Sequence, residues 1–356
     1  MTRPVLHALA WPGGLGGAAR SVEETCAAQL RNGVTAEAWL CTANRLTPSP
    51  VPERFAARGV PVHRWTADTF LAPRAVRDLT RCLRALGRDA VLHTHGERAL
   101  LWGLAAAGLT GARHVHTMHG WIRNTMADRR REERARSLLA RVDAVVAVHD
   151  VVAEGFAGAH VVPNTLDARR FSRAAGDRER TRRHWGLGAA DRVYLFLGRL
   201  AAEKGADRLA VIQARLQTVS AAGRLVVAGS GPLGPGVEAM TDVRMLGERA
   251  DPAAVLAAAD VVLMPSRSEG LPMTALEAAA VQVPLVGFPV GGLADSGLAL
   301  TVPDGDVDRL VDAAVRLVRD DALRARALDQ STSALAGPFA PARHAAALSD
   351  IYDGRA

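Results

Sequence analysis

Val261-Val262-Leu263-Met264-Pro265-Ser266-Arg267-Ser268-Glu269-Gly270-Leu271-Pro272-Met273-Thr274-Ala275-Leu276-Glu277-Ala278 is the stretch whose reading decides the fold. Its first four residues read as a buried strand, and the polar run after them as the loop at the strand's carboxyl end. Pro272 lies where the next helix should start, a favoured first-turn position because its missing N–H would have no helical partner. The backbone N–H groups around Gly270, Leu271 and Met273, with the helix dipole behind them, then make an anion site. Glu269 stands just before that helix and Glu277 about a turn and a half inside it. Carboxylates would repel a bound phosphate, so these two are better suited to accepting hydrogen bonds from sugar hydroxyls. The plainer alternative is that Glu269 complements the helix dipole and Glu277 is solvated.

The same strand, loop and helix unit recurs on both sides. Val193–Leu197, Leu225–Ala228, Val243–Leu246 and Leu285–Phe288 read as strands, and Asp306–Val318 and Asp320–Leu335 as helices. In the first half, Val5–Ala10, Ala36–Cys41, Val91–Thr94, Val115–Met118, Ala144–Val148 and His160–Val162 are strand candidates. Helices are expected near 18–31, 73–86 and 99–107. Apolar runs alternating with helical segments imply parallel sheets covered on both faces. The chain is therefore expected to be α/β, with two Rossmann-like doubly wound domains whose crevices face an interdomain cleft. The expected boundaries are 1–168 for the first domain and 189–340 for the second. Residues 169–188, charged and Arg-rich, suit a linker, and 341–356 a final helix packing back towards the first domain.

Two cations follow the first strand of the second domain. Gly198-Arg199-Leu200 comes directly after the apolar run, and Lys204-Gly205 five residues later. Cations at a strand end suit a pyrophosphate, whereas the structural alternative is an ion pair with Glu203 or Asp207. Gly229-Ser230-Gly231-Pro232 follows the next strand, where glycines permit close backbone approach to a ligand.

With 356 residues, the chain exceeds what a single hydrophobic core usually supports, which agrees with two domains. A net charge of +7 raises the question of nucleic acid or anionic membrane as partner. The type of basic residue bears on the answer. Lys204 is the only lysine, and arginine supplies the other 43 of the 44 basic side chains. That ratio reads as a coding bias replacing lysine wherever arginine serves, so a surviving lysine points to a site that needs a compact ammonium. The cluster Arg123, Arg129, Arg130, Arg131, Arg134 and Arg136 is interleaved with Asp128, Glu132 and Glu133, and no aromatic platform accompanies it. It reads as a solvated helix face, or as a patch touching anionic membrane or a polyanionic acceptor, and not as a nucleic-acid site. Cys26, Cys41 and Cys82 are scattered and lack metal-type spacing, so buried thiols in a reducing compartment are expected. With no apolar run near the ~18 residues of a membrane span and no convincing signal segment, the expected address is the cytoplasm, with peripheral contact at the inner membrane face left open. His93, His95, His114, His116 and His119 raise zinc, but no carboxylate or cysteine completes a recognisable ligand set.

Together these residues resemble glycosyltransferase family 4, whose members are retaining enzymes of GT-B architecture. The resemblance rests on Gly198-Arg199…Lys204-Gly205, Gly229-x-Gly231-Pro232, Gly247, Pro265-Ser266…Glu269-Gly270…Glu277-Ala278, Pro284, Gly291-Gly292, Pro303 and Asp306. Looser matches lie upstream, at Gly13–Gly17, at His116-Thr117-Met118-His119-Gly120 and at Val162-Pro163-Asn164-x-x-Asp167. The resemblance implies that Arg199 and Lys204 bind a donor diphosphate, helped by the amides of Gly270, Leu271 and Met273, with Pro272 and the loop glycines Gly229 and Gly231 lining the donor site. Glu277 would hold the ribose hydroxyls and Glu269 the donor sugar. Gly14, Gly16 and Gly17 would close over the diphosphate, and His119 would contact the donor or orient the attacking hydroxyl. His95 and Trp121 would lie on the acceptor side. The implied partners are a nucleotide sugar, UDP-linked by family habit, and a hydroxyl acceptor, with no metal or other cofactor. Gln282 departs from the pattern, standing where the family usually has a glycine at a helix C-terminus with positive φ.

Overall fold

The computed structural model describes residues 2–11, 16–42, 50–66, 72–120, 126–173, 175–220 and 222–356. The chain divides into two compact units, residues 1–165 with 339–356, and residues 166–338.

Unit 1 is built on seven parallel strands, β1 (Val5–Trp11), β2 (Ala36–Thr42), β3 (Val62–Thr66), β4 (Val91–His95), β5 (Arg113–Met118), β6 (Ala144–Ala147) and β7 (His160–Val161). Their spatial order is β3-β2-β1-β4-β5-β6-β7, so the winding reverses between β1 and β4. Period-2 alternation sorts the side chains of β1 and β4 onto two faces. Leu6, Ala8 and Leu92 pack with Trp39 and Trp102 beneath the helices Pro73–Leu86 and Glu97–Thr110. Val5, Val91 and Val115 pack on the other face with Leu348, Ile351 and Tyr352 of the helix Pro341–Asp353. The last helix of the chain is thereby part of the core of unit 1.

Unit 2 has six parallel strands, β8 (Arg192–Leu197), β9 (Gly223–Ala228), β10 (Val243–Gly247), β11 (Val261–Met264), β12 (Leu285–Gly287) and β13 (Leu300–Thr301). Their order is β10-β9-β8-β11-β12-β13, with the reversal between β8 and β11. Tyr194, Phe196, Leu225, Val227, Val261 and Leu263 form its core with Leu209, Ile212 and Leu216 from one helix and Leu310, Val311 and Ala314 from another. Both units are Rossmann-like.

Three details differ from the sequence reading. Residues 169–188 are not an extended linker, because the helices Ala168–Arg173 and Arg178–His184 belong to unit 2. Their arginines are used structurally: Arg178 and Arg182 both bond the carboxylate of Asp260, at 2.6 and 3.3 Å, while Asp260 also accepts the Val193 N–H at 2.7 Å. A charged segment can thus join a domain when each cation meets a carboxylate or a helix-end carbonyl. Pro272 is the residue before the first helical turn, with extended backbone, and the helix runs Met273–Ala280. β3 and β13, short and half exposed, carried too little apolar pattern to be read as strands.

Candidate functional site

The chain reversal of unit 2 places the loops after β8 and β11 side by side at the carboxyl end of the sheet, where such folds bind ligands. These loops, 198–208 and 265–270, are laced together by hydrogen bonds. Arg267 N–H donates to Glu203 O at 2.8 Å, Arg267 Nη1 to Ala202 O at 2.7 Å, and Arg208 Nη1 to Pro265 O at 2.8 Å. The Arg267 guanidinium also grips both carboxylate oxygens of Asp207, at 2.6 and 2.7 Å, and raises its own pKa while lowering that of Asp207. Gly205 permits the close approach. Its φ is 72°, and a Cβ there would overlap the Pro265 carbonyl oxygen. Gly229 does the same for the neighbouring loop, since a Cβ would overlap Gly198 O. The motif glycines read from sequence as ligand-approach positions therefore first serve loop-to-loop packing.

This lacing fixes an ion pair. Lys204 Nζ lies 2.6 Å from Glu269 Oε2, and Ser266 Oγ donates to Glu269 Oε1 at 2.8 Å. The Glu269 carboxylate is 6% exposed, so it sits within the loops instead of serving the helix dipole from solvent. The Lys204 side chain is 32% exposed, so its ammonium retains access to an incoming anion. Arg199 Nη1 lies 3.2 Å from Glu203 Oε1, the ion pair posed as the structural alternative, yet 56% of its side chain is exposed. Gly270, Leu271, Met273 and Glu277 are all buried, and Glu277, 1% exposed, is not solvated. No side chain caps the helix Met273–Ala280 at its N-terminus, where the Ala275 N–H donates to Pro272 O at 3.1 Å. Gln282 adopts a φ of 59°, the left-handed conformation expected of that position, and its side chain bonds Ala279 O and Thr332 Oγ1.

In unit 1, Gly16 precedes the helix Gly17–Arg31 as its N-cap, and a Cβ on either glycine would meet nothing within 4 Å. Gly14, Trp121 and Arg123 lie outside the described residues. The side chain of His119, just past β5, joins a buried row of histidines. His119 Nε2 lies 3.1 Å from His95 Nδ1, His95 Nε2 lies 3.0 Å from His7 Nδ1, and His7 Nε2 lies 2.7 Å from Gln29 Oε1. Gln29 Nε2 donates to the Tyr352 hydroxyl at 2.9 Å, and Tyr352 OH lies 2.7 Å from His93 Nδ1. His93 Nε2 lies 2.6 Å from Thr117 Oγ1. His95, expected on the acceptor side, thus has both ring nitrogens committed to other histidines. Burial holds these rings neutral: His7 and His119 fall to about 4, and His93 and His95 lie well below the ordinary histidine value, with neighbouring histidines adding to the burial effect. His114 and His116 point to the opposite face and share Thr94 Oγ1, each at 2.9 Å.

His7, Gln29 and Tyr352 were not singled out from the sequence. The available signal was a histidine in the middle of the apolar strand Val5–Trp11, since a buried polar residue in such a run demands a partner. In the Arg-rich helix Met126–Leu139, Arg136 turns inward to Glu132, at 3.0 Å, and to Glu154 O. Among the described residues, no helix is long and apolar enough to cross a membrane. All three cysteines are buried.

Comparison with known proteins matches both units. Residues 15–170 match the family described as Glycosyltransferase Family 4, and residues 191–320 the one described as Glycosyl transferases group 1. The D-inositol 3-phosphate glycosyltransferase of Actinosynnema mirum is 30% identical over 328 residues, which span 79% of this chain and 78% of that protein. The chain belongs to glycosyltransferase family 4. This family 4 chain is also 29% identical over 200 residues to the alpha-D-kanosaminyltransferase of Streptomyces kanamyceticus, spanning half of each protein (52% and 50%). Among solved structures it resembles Anabaena Alr3699/HepE in complex with UDP-glucose, with a TM-score of 0.81 at 18% identity, covering 98% of this chain and 99% of that one. The sucrose-phosphate synthase of Thermosynechococcus elongatus gives a TM-score of 0.75 at 17% identity, covering 99% of each chain. At these identities the structures speak for the shared fold, which is GT-B in class.

Proposed function

We propose that this family 4 protein is a retaining, metal-independent glycosyltransferase that moves a hexosyl or N-acetylhexosaminyl group from a UDP-linked sugar to an acceptor hydroxyl. The observation that carries the reading is the Lys204–Glu269 pair, held at the strand reversal of unit 2 beside the exposed guanidinium of Arg199. Departure of a nucleoside diphosphate concentrates negative charge on the leaving oxygen. Lys204, Arg199 and the first-turn amides of the helix Met273–Ala280 are donors fixed in advance for that charge, the kind of arrangement that supplies the largest catalytic term in many enzymes. With protein cations available for the diphosphate, no metal is required for its departure. The acceptor hydroxyl attacks from the leaving-group face, with a diphosphate oxygen or His119 receiving its hydrogen.

The names of the relatives suggest where to look first for substrates. Phosphorylated inositols are the first acceptor class to test, and UDP-glucose the first donor. Turnover measured with and without EDTA tests the metal-free reading, which loss of activity with rescue by Mg²⁺ would refute. Lys204→Ala is expected to lower kcat/KM at least a hundredfold, about 3 kcal/mol of transition-state stabilisation. Near wild-type turnover would overturn the assignment of the diphosphate site. The anomeric configuration of the product, read by NMR, tests retention. Product analysis without acceptor separates a transferase from a sugar-nucleotide epimerase of the same fold, and sedimentation with anionic vesicles tests peripheral membrane contact through 123–136.

A further inference from the structure

The buried histidine row of unit 1 has a consequence for the chemistry of His119. The one group of described residues close enough to share a metal ion is His7, His93 and His95, whose ligand atoms lie within 4.8 Å of one another. All six of their ring nitrogens already have a hydrogen-bond partner: Gln29 and His95 for His7, Tyr352 and Thr117 for His93, His7 and His119 for His95. A metal there would have to break a satisfied buried network, so the cluster reads as a hydrogen-bond chain.

Such a chain has a direction. A neutral imidazole carries one N–H and one lone pair, so each ring that donates at one nitrogen must accept at the other. Gln29 sets the sense, because its amide oxygen can only accept and its amide nitrogen can only donate. With Oε1 facing His7, the His7 proton is on Nε2 and its Nδ1 accepts. His95 must then donate from Nε2 to His7 and accept at Nδ1, and His119 must donate from Nε2 to His95. The same amide orientation sets the other arm: Gln29 Nε2 donates to the Tyr352 oxygen, so Tyr352 donates to His93 Nδ1 and His93 donates from Nε2 to Thr117. No group in either arm is left with two donors or two acceptors face to face. His119 is the chain's outer end, partly buried, and no described residue bonds its Nδ1.

We infer that Gln29, acting through His7 and His95, fixes His119 as the Nε2-protonated tautomer and presents its Nδ1 lone pair to a substrate hydroxyl, which donates a hydrogen bond to it. The inference rests on the proposed role of His119 in glycosyl transfer. Gln29, His7 and His95 are positioning residues that act on substrate only through His119. The low proton affinity that burial gives His119 keeps the ring in this acceptor form throughout the neutral range.

The test is ¹⁵N NMR of the full chain labelled at histidine, at pH 7.5, with His119 assigned by loss of its signals in His119→Asn. The expected wild-type result is protonation of His119 on Nε2 alone. Gln29→Met, similar in length but without a polar end, is expected to yield both tautomers. The fall in kcat should equal the remaining fraction of Nε2-protonated His119, so a fraction of one tenth gives a tenfold loss, while the KM for the nucleotide sugar stays within about twofold. Should Gln29→Met fail to fold, Tyr352→Phe removes the acceptor that orients the amide nitrogen and is expected to give the same mixture. Protonation on Nδ1 in the wild type, or a single unchanged tautomer in the variants, overturns the inference. A tautomer that follows Gln29 while kcat does not would uphold the relay and overturn the role of His119 at the substrate.

Discussion

Acidification should unfold unit 1 while leaving unit 2 intact. Ten of the eleven histidines lie in unit 1, whereas unit 2 holds only His184, which is exposed. Burial lowers His7, His114, His119 and His344 to about 4, and pushes His93, His95 and His116 well below their ordinary value. Above pH 6.5 these rings are neutral in both folded and unfolded chains, so they give stability no pH dependence. Between 6.5 and about 4 the unfolded chain takes up protons that the folded chain refuses, and stability falls as pH falls. At pH 5 each ring with a folded value near 4 costs about 2 kcal/mol, at roughly 1.4 kcal/mol per pH unit below its unfolded value. Four such rings cost about 8 kcal/mol, comparable to the whole stability of an ordinary domain, and the deeper three add to it. Five of the six tryptophans are in unit 1, so intrinsic fluorescence follows that unit. For a urea slope of about 2 kcal/mol/M, the fluorescence midpoint should drop by about 4 M between pH 7 and pH 5. A midpoint moving by less than about 0.5 M would show that the histidines are not held neutral by burial.

The remaining expectations concern unit 2. Gly205→Ala forces a Cβ into the Pro265 carbonyl at a left-handed φ, and should destabilise the unit by about 2–3 kcal/mol in denaturant titrations while lowering turnover through displacement of Lys204. Asp260→Ala removes the carboxylate that meets Arg178, Arg182 and the Val193 amide; with Arg178 more than a third exposed, a discounted loss of about 2–3 kcal/mol in urea midpoint is expected. Gln282→Gly relieves a left-handed backbone but forfeits bonds to Ala279 and Thr332, so the opposing effects should leave a net change below about 1 kcal/mol by thermal unfolding.

The strands of both sheets were legible where an apolar run ended at a glycine or proline, as at Val261–Met264 before Pro265 and Val5–Trp11 before the glycine loop. Edge strands such as Val62–Thr66 were not, because a half-exposed segment needs no apolar pattern on either face. The cations Arg199 and Lys204 and the carboxylate Glu269 were legible as residue types at a strand end, whereas Gln282, a non-glycine where a left-handed turn was expected, put that turn in doubt until its φ of 59° showed it. Their pairing was not, since Lys204 and Glu269 are 65 positions apart and only the reversal of winding brings them together. The same holds for the histidine row, whose terminal partner Tyr352 reaches unit 1 from the last helix of the chain. Sequence spacing could suggest five clustered histidines, but period-2 alternation splits them onto two faces, and only one face leads to His119.

The pairing also explains why one lysine survives among 43 arginines. Arginine binds a carboxylate best as a fork across both oxygens. At Glu269 one oxygen is already taken by Ser266, so a single point contact is all that position 204 can make. The four charges Arg199, Glu203, Lys204 and Glu269 sum to zero, so attraction for a diphosphate comes from donors left over after the ion pairs form. An ammonium using one donor on Glu269 keeps two for phosphate oxygens, whereas a guanidinium turned onto Glu269 would commit its planar edge there. Lys204→Arg should therefore keep the charge and the fold while raising the KM for the nucleotide sugar and lowering kcat at least tenfold, about 1.4 kcal/mol. Steady-state kinetics measure it directly. An arginine variant with wild-type constants would mean that charge alone matters at this position, and that the lone lysine is an accident of coding.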